Sequence, residues 1–176
     1  MLHTISVLVD NHFGVLSRIS GLFSARGYNI ESLCVGVTQD PSISRMTVVV
    51  RGDDNVLQQI VNQLNKLVEV IQVLDLTQES FVERELVLIK ADADAKRRTE
   101  LLEIANIFRA KVVDMSMDTI IVEVTGTEDK VGAFIDMIRP FGIRELARSG
   151  RLAMARSKNG TEAGAGGSKA QESRNS

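Results

Sequence analysis

Residues 6–33 read SVLVDNHFGVLSRISGLFSARGYNIESL. Apolar and smaller or polar residues alternate up to Val9, which is the period of a strand with one buried face. Apolar residues then recur at helical spacing over residues 15–23, and Gly27 is a typical helix terminator. Residues 28–37 are rich in β-branched side chains and favour a second strand. The stretch therefore predicts a strand, a helix and a strand in succession.

The elements that follow complete a β-α-β-β-α-β unit. The sequence DPS at 40–42 is a turn signal, and strands are predicted at residues 46–50 and 68–76. Between these strands, Asp53 or Asp54 can cap a second amphipathic helix. This order of elements is that of the ferredoxin-like fold.

The second half of the chain repeats the first at a constant offset of 85 residues, as from Leu16 to Leu101. The matched apolar positions of the two first helices are Leu16, Ile19, Leu22, Phe23 and Ala25 against Leu101, Ile104, Ile107, Phe108 and Ala110. The repeat is structural only, because Gly14 corresponds to Thr99 and Asn29 to Asp114. We therefore expect an α+β protein with two ferredoxin-like βαββαβ domains, each with its helices on one face of its sheet.

The domain boundaries follow from this repeat. Residues 1–76 are predicted to form the first domain, residues 77–84 a linker and residues 85–157 the second domain. Residues 158–176 have alanine as their only apolar side chain and are predicted to be a disordered tail. Domains of about 75 residues bury little surface, and each sheet keeps one open face. Each domain should therefore pack against another, within the chain or between chains.

Composition excludes several classes of function. The chain has 21 Lys+Arg against 23 Asp+Glu, without the basic footprint of a nucleic-acid-binding protein. The predicted third strand, SRMTVVVRG, lacks the aromatic residues that stack on RNA bases. No apolar run is long enough to span a membrane, and the first strand leaves no room for a signal peptide. We expect a cytoplasmic protein that binds neither nucleic acid nor membrane.

No side-chain pattern predicts catalysis or metal binding. His3 and His12 lack other ligands at metal spacing and are expected at the surface or at a sheet edge. Cys34 is expected to be an unreactive, half-buried thiol. Asp92 and Asp94 are expected in a solvated loop and at a helix N-cap. An enzyme that uses these carboxylates or His12 is the alternative.

The loop before the first helix carries the strongest functional signal. Gly14 leaves the helix start unshielded, where free N–H groups and the helix dipole favour an anion such as a carboxylate. Asn11 can hold an ammonium group through its side-chain carbonyl, and Leu16 can meet a small apolar side chain. These features fit a free amino acid. The alternative is an Asn-capped helix in which glycine serves a tight turn.

Polar residues also interrupt the start of the second strand. Asn29 and Glu31 either protect an edge strand or supply polar contacts to a ligand held by a neighbouring subunit. Among the charged residues of the first half, Arg18, Arg26 and Arg45 are candidates for a partner surface. A solvated face is the alternative for each arginine.

The pattern D-x-x-x-G-x-L-x-R-I, followed by GYNIESL, is similar to that of the amino-acid-binding ACT domain. Residues 6–33 and the later SRMTVVV, VERELVLIK and IRELARSGRLAMAR resemble the regulatory small subunits of acetolactate synthase. The resemblance extends over about residues 2–157. Many ACT domains have proline before the glycine, where this chain has Phe13.

This resemblance implies a chain without catalytic residues, metal or cofactor of its own. The family's large subunit carries thiamine diphosphate, magnesium and FAD. The small subunit activates it and confers feedback inhibition by valine, in some members by leucine or isoleucine, in branched-chain amino-acid biosynthesis. The second domain is expected to transmit the signal or stabilise assembly.

The family's effectors lie between ACT domains of two protomers, which implies a homodimer through the N-terminal domains. Carried onto this chain, the effector positions are Asn11, Gly14, Val15 and Leu16 of one protomer, with Asn29 and Ile30 of the other. An ACT-domain sensor that acts on a different enzyme is the alternative.

Overall fold

The computed structural model describes residues 1–157, and the predicted tail at 158–176 lies outside the described residues. In chain order the elements are β1 (Leu2–Asp10), α1 (Val15–Ala25), β2 (Ile30–Val37), β3 (Ile43–Arg51), α2 (Asp54–Leu64), β4 (Val70–Asp75), β5 (Phe81–Asp92), α3 (Arg98–Ile107), β6 (Lys111–Met115), β7 (Thr119–Gly126), α4 (Glu128–Ile138), a 3₁₀ turn (Arg139–Phe141), β8 (Ile143–Arg148) and β9 (Leu152–Ala155). Within residues 1–157, no helix combines the length and apolar character needed to cross a membrane.

Two antiparallel sheets confirm the predicted fold class. The first has the strand order β2-β3-β1-β4, and the second has the order β6-β7-β5-β8 with β9 also paired to β5. In each domain, alternate residues of the central strands pack against both helices. The first core includes Ile5, Val7, Ile19, Phe23 and Ile60, and the second includes Val87, Ile89, Leu101, Ile120 and Phe134.

The connection between the domains is shorter than the predicted linker at 77–84. Strand β5 begins at Phe81, and its first residues pair with β9, with Phe81 opposite Ala155 and Arg84 opposite Leu152. Strand β9 was not predicted from the sequence. Its residues, Leu-Ala-Met-Ala, have high helix propensity, and the strand forms because the backbone of β5 offers an unpaired edge.

His3 is fully buried, so its predicted surface position is wrong. Strand β1 already begins at Leu2, and His3 lies on the same side of it as Ile5, which faces the helices. Its Nε2 lies 3.2 Å from the carbonyl oxygen of Gly52. His12 is exposed, as predicted. His3 is buried because β1 is an interior strand of its sheet, so its first residues are covered as fully as its central ones. His12 lies beyond the end of β1 and is exposed.

The second half of the chain covers the open face of the first sheet. Ser6 and Thr47 lie on that face and are 2% and 1% exposed. The backbone N–H of Ala153 donates to the Thr47 hydroxyl at 3.4 Å, and that of Arg151 donates to the Ser32 hydroxyl at 2.9 Å. The packing expected of the first domain is therefore provided within the chain.

The turn between β8 and β9 makes a close contact between the domains. Gly150 has φ +81°, and a Cβ added there would lie 2.9 Å from the carbonyl oxygen of Leu33 in β2. Arg148, at the end of β8, donates two hydrogen bonds of 2.7 Å to the nearly buried carboxylate of Glu85. This bonding raises the pKa of the Arg148 guanidinium. This ion pair therefore fixes the residue that precedes the turn to β5.

Candidate functional site

The loop between β1 and α1 is anchored to a turn on the neighbouring strand. The Asn11 backbone N–H donates to the carbonyl of Ser42 at 2.6 Å, and its side-chain Nδ2 donates to the carbonyl of Pro41 at 2.8 Å. The side-chain oxygen of Asn11 has no hydrogen-bond partner among residues 1–157. The exposed amide therefore keeps a free acceptor at a fixed place, as an ammonium ligand requires.

The anchoring turn is itself rigidified by Asp40. The backbone N–H and the hydroxyl of Ser42 both donate to Asp40 Oδ1, at 2.9 and 2.6 Å. These bonds stabilise the ionised form and lower the pKa of the Asp40 carboxyl below its usual 3.8. The sequence predicted this turn, but its role in positioning Asn11 was missed because the two segments are 30 residues apart.

Gly14 forms the start of α1 and leaves it open. It occupies the N-cap position with φ +88°, a left-handed conformation that favours glycine, and no side chain caps the helix. A Cβ at Gly14 would meet nothing within 4 Å, so the backbone conformation and not lack of space requires glycine. The Val15 N–H donates to the carbonyl of His12 at 3.5 Å, whereas the N–H groups of Leu16 and Ser17 have no hydrogen-bond partner within residues 1–157 and are the ones that an anion could reach.

Val15 and Leu16 differ in the exposure of their side chains. Val15 is 4% exposed and belongs to the first core, so only its backbone can reach a ligand. Leu16 is 45% exposed and lines an open depression together with Phe13, Gly14 and Arg18. Leu16 and the fully exposed Phe13 are therefore the apolar side chains that one chain offers beside the open helix start.

The candidate arginines of the first domain have separate roles. Arg18 forms an ion pair with the largely buried Glu69, which connects α1 to the segment before β4. Arg26 donates to the side chain of Gln63 at 2.9 Å, between α1 and α2. Arg45 lies on the sheet face that meets β9, apart from the other two.

Asn29 and Ile30 lie at the opposite end of the sheet from Asn11. Ile30 pairs with Val50 at the end of β3, whereas Asn11 bonds to Ser42, just before β3 begins. About eight strand residues separate these positions, or roughly 25 Å. One chain therefore does not bring the two predicted parts of the site together. Asn29 is exposed and donates to Glu31 Oε1 at 3.3 Å.

Within residues 1–157, no strand pairs with the outer edge of β2. Strand β2 is the last strand of its sheet, and Val35 and Val37 are 42% and 65% exposed. Unpaired edge strands with exposed apolar side chains are templates for pairing with another chain. A second copy can therefore join at this edge.

The second domain has no equivalent site. Thr99, which corresponds to Gly14, lies inside α3, so the helix start is not left open at this position. Asp92 Oδ1 pairs with Arg144 at 2.5 Å, and Asp94 accepts the backbone N–H groups that precede α3. Each carboxylate is thus engaged in a structural contact.

The ferredoxin-like first domain and its open, glycine-started helix define a protein of the ACT-domain class. The profile of the "AHAS small subunit-like ACT domain" matches residues 5–72, and that of the "Small subunit of acetolactate synthase" matches residues 84–157. The chain belongs to the family of acetolactate synthase small subunits, in which the ACT domain supports a regulatory role.

Individual relatives agree with this assignment. The probable acetolactate synthase small subunit of Archaeoglobus fulgidus is 58% identical over 156 residues, which are 89% of this chain and 98% of the relative. The acetolactate synthase small subunit of Mycolicibacterium smegmatis is 49% identical over 158 residues, 90% of this chain and 93% of the relative. The crystal structure of the acetolactate synthase small subunit from Thermotoga maritima shares 40% identity with a TM-score of 0.83, and the match covers 90% of this chain and 99% of that one.

Proposed function

We propose that this chain binds the large catalytic subunit of acetolactate synthase, raises its activity and makes it sensitive to valine. The observation that carries the proposal is the open start of α1 at Gly14 beside the free amide oxygen of Asn11. In this proposal the chain supplies no catalytic group. The chemistry, with its thiamine diphosphate, magnesium and FAD, belongs to the large subunit, and the complex works in the cytoplasm.

The site recognises a free amino acid by its charges at both ends. The carboxylate binds the first-turn N–H groups of α1, where the helix dipole is favourable. The ammonium donates to Asn11 Oδ1. A branched aliphatic side chain packs on Leu16, whose exposed surface lies beside the helix start. The apolar lining favours valine and its branched-chain relatives over charged amino acids, because Arg18, the cation of this depression, is already paired with Glu69.

A second copy completes the site. A two-fold axis can place the β2 edges of two copies side by side and antiparallel. The start of β2 in one copy then lies toward the opposite end of the sheet in the other copy. Asn29 and Ile30 of one copy then approach Asn11 and Gly14 of the other. Within one chain these residues lie at opposite ends of the sheet. The separation of these residues in one chain supports this homodimer. The exposed Val37 supports it as well, because pairing would bury its side chain.

Valine inhibits by preferring one arrangement of the two copies. A ligand shifts a conformational equilibrium only by its difference in affinity for the two states. Valine clamped between two first domains contacts β2, and β2 contacts the second domain through Ser32 and Gly150. A change in the pairing of the copies is thereby transmitted to the second domain and to the bound catalytic subunit.

Substitution of Gly14 by aspartate tests the assignment. The variant places a negative charge where the ligand carboxylate binds and strains the backbone at φ +88°. Gly21→Asp is the matched control, because Gly21 lies on the same helix with open space around it and an ordinary φ. Both proteins are reconstituted with the large subunit and titrated with valine. We expect the first variant to lose inhibition while the control keeps it.

Two results would contradict the proposal. Full valine inhibition of the Gly14→Asp complex would remove the site, and failure of the wild-type chain to stimulate the large subunit would remove the function. Thermal unfolding of the isolated chain supplies a direct check of binding. Valine at about 100 times its dissociation constant should stabilise the protein by about 2.7 kcal/mol, or roughly 5–10 °C, and an acidic amino acid should not.

A further inference from the structure

A largely buried carboxylate lies next to the proposed effector site. Glu69 comes just before β4 and is 9% exposed, which is unusual for a charged residue. Its backbone carbonyl accepts the N–H of Asp10 at 2.9 Å, at the end of β1, where the loop that holds Asn11 and Gly14 begins. The backbone thus fixes Glu69 beside this loop. It was not among the site residues predicted from the sequence, because it is far from Gly14 along the chain.

Arg18 of α1 is the ion-pair partner of Glu69, and no other cation within residues 1–157 pairs with this carboxylate. Nη1 of Arg18 donates to Glu69 Oε1, and the two side chains are 63% and 11% exposed. A buried carboxylate is costly without a cation beside it, whereas an exposed guanidinium is solvated by water. The burial of Glu69 therefore holds Arg18 in one place.

Arg18 lies at the depression beside the start of α1. Its backbone N–H donates to the carbonyl of Gly14 at 3.0 Å, so it lies one turn after the open helix start. Helical side chains point toward the N-terminus of their helix and cover the preceding turn. The Arg18 side chain accordingly lines this depression together with Leu16 and Phe13. An amino acid whose carboxylate binds the N–H groups of Leu16 and Ser17 would place its side chain near this guanidinium.

We infer that Glu69 is a specificity-determining residue of the effector site, where it excludes acidic amino acids by neutralising Arg18. The inference rests on the proposed function, because it concerns the choice among effectors at the site proposed there. A free guanidinium binds carboxylates through two parallel hydrogen bonds, and the side chain of aspartate or glutamate would offer it one. While Arg18 is paired, such a side chain would instead approach the like charge of Glu69. The apolar surface of Leu16 and Phe13 then selects an aliphatic side chain.

The ion pair also has a structural consequence, since it connects α1 to the segment before β4. A purely structural contact would change the binding of all amino acids alike, through the stability of the site. A specificity-determining residue changes the ratio of their affinities. The ratio between acidic and aliphatic amino acids therefore separates the two roles.

Glu69→Gln removes the negative charge with little change in shape and leaves the Arg18 guanidinium without an ionised partner. Glu145→Gln is the matched control, because it removes a carboxylate that pairs with Lys90 at 3.3 Å in the second domain. The double variant Glu69→Gln/Arg18→Gln removes both charges of the pair. Dissociation constants of the full-length proteins for valine, glutamate and aspartate are measured by isothermal titration calorimetry. Thermal unfolding without ligand is recorded for each variant.

We expect the wild type and Glu145→Gln to bind valine and to reject both acidic amino acids. In Glu69→Gln the affinity for an acidic amino acid relative to valine should increase by about tenfold or more, as a charge-assisted hydrogen bond to the ligand can supply. The double variant should lose this gain, because the gain requires Arg18. In complex with the large subunit, the same acidic amino acid should inhibit Glu69→Gln and leave the wild type active.

Arg18→Gln provides a second test if Glu69→Gln does not fold. It leaves the Glu69 carboxylate without a cation, so the preference should shift in the opposite direction. The affinity for lysine relative to valine should increase by about threefold or more, which is what a partly solvated ion pair supplies. Unchanged selectivity in this variant would overturn the inference.

Other outcomes would also overturn it. Unchanged selectivity of a folded Glu69→Gln, or an equal change in Glu145→Gln, would leave the ion pair with a structural role only. A gain that persists in the double variant would exclude Arg18 as its source. If the wild-type chain does not bind valine, the proposed function fails together with the inference. If it binds valine and the variants keep its selectivity, only the role assigned to Glu69 is wrong.

Discussion

Replacement of Gly150 by alanine tests the contact between the two domains. Gly150 adopts φ +81°, where an L-residue costs about 1–2 kcal/mol. The new Cβ would also lie 2.9 Å from the Leu33 carbonyl oxygen and 3.1 Å from the Ser32 hydroxyl. The nearest of these atoms belongs to the backbone of β2 and cannot rotate away. Forced overpacking of this kind costs about 1–3 kcal/mol more. The total expected loss is about 2–5 kcal/mol.

Gly27→Ala separates backbone strain from the contact. Gly27 has φ +69°, and a Cβ there would meet nothing within 4 Å. Its replacement should therefore cost only the strain, about 1–2 kcal/mol. Free energies of unfolding are measured by urea denaturation at one protein concentration, because association would otherwise change the apparent stability. The difference between the two variants isolates the packing of the turn on β2.

Hydrogen exchange supplies a local measurement on the same variants. The Arg151 N–H donates to the Ser32 hydroxyl at 2.9 Å, so a displaced turn loses this bond. We expect faster exchange at Arg151 in Gly150→Ala and no change in Gly27→Ala. Equal losses of stability in both variants, with unchanged exchange at Arg151, would refute the reasoning. The turn would then not be held against β2, and the proposed transmission of the effector signal would lose its path.

Three further predictions concern single contacts. Asp53→Ala removes the side chain that caps α2 and should lower the free energy of unfolding, measured by urea denaturation, by about 1 kcal/mol. Asp54→Ala should lower it by less, and the reverse order would contradict the capping assignment. Glu85→Ala removes a nearly buried carboxylate that accepts two charge-assisted hydrogen bonds from one arginine of β8, and should cost about 1–3 kcal/mol; an unchanged urea midpoint would contradict this. In an NMR titration the pKa of the Asp40 carboxyl should lie below 3.8 and rise in Ser42→Ala. Because the pKa of Asp40 is lower in the folded state, its stabilisation is present at neutral pH and is lost as the pH falls through the folded pKa. An equal pKa in the wild type and in Ser42→Ala would contradict the hydrogen bonding of the turn.

Local patterns predicted the elements because each pattern is a property of neighbouring residues. The alternation before Val9 and the helical spacing after Gly14 identified β1 and α1, and the offset of 85 identified their counterparts in the second domain. Where pairing partners decided the structure, prediction failed. Strand β9 has a helix-like sequence and is a strand only because β5 lies beside it. His3 was misplaced because its burial depends on neighbouring strands and not on its own surroundings in sequence.

The candidate site, too, was predictable only where its residues are neighbours in sequence. Asn11 and Gly14 are neighbours along the chain, so the sequence sufficed to join them into one hypothesis. The turn that holds Asn11 is distant in sequence, and its carbonyl groups leave no recognisable pattern. The wide separation of Asn29 from Asn11 also follows only from the strand register. A resemblance in sequence had implied that these residues come from different protomers, and the register now supplies a physical reason for that proposal.

By itself, the sequence determined the two ferredoxin-like domains and the glycine that starts α1. These depend on periodicity and on single residues such as Gly14, whose conformational freedom is intrinsic. Only the tertiary structure decided which sheet face is covered and which is left exposed. That choice depends on how β5 and β9 pair and where they pack, which is a balance of contacts between segments far apart in the chain. Because such contacts form only when the whole chain has folded, the covered face of the first sheet could not be identified before the fold was known.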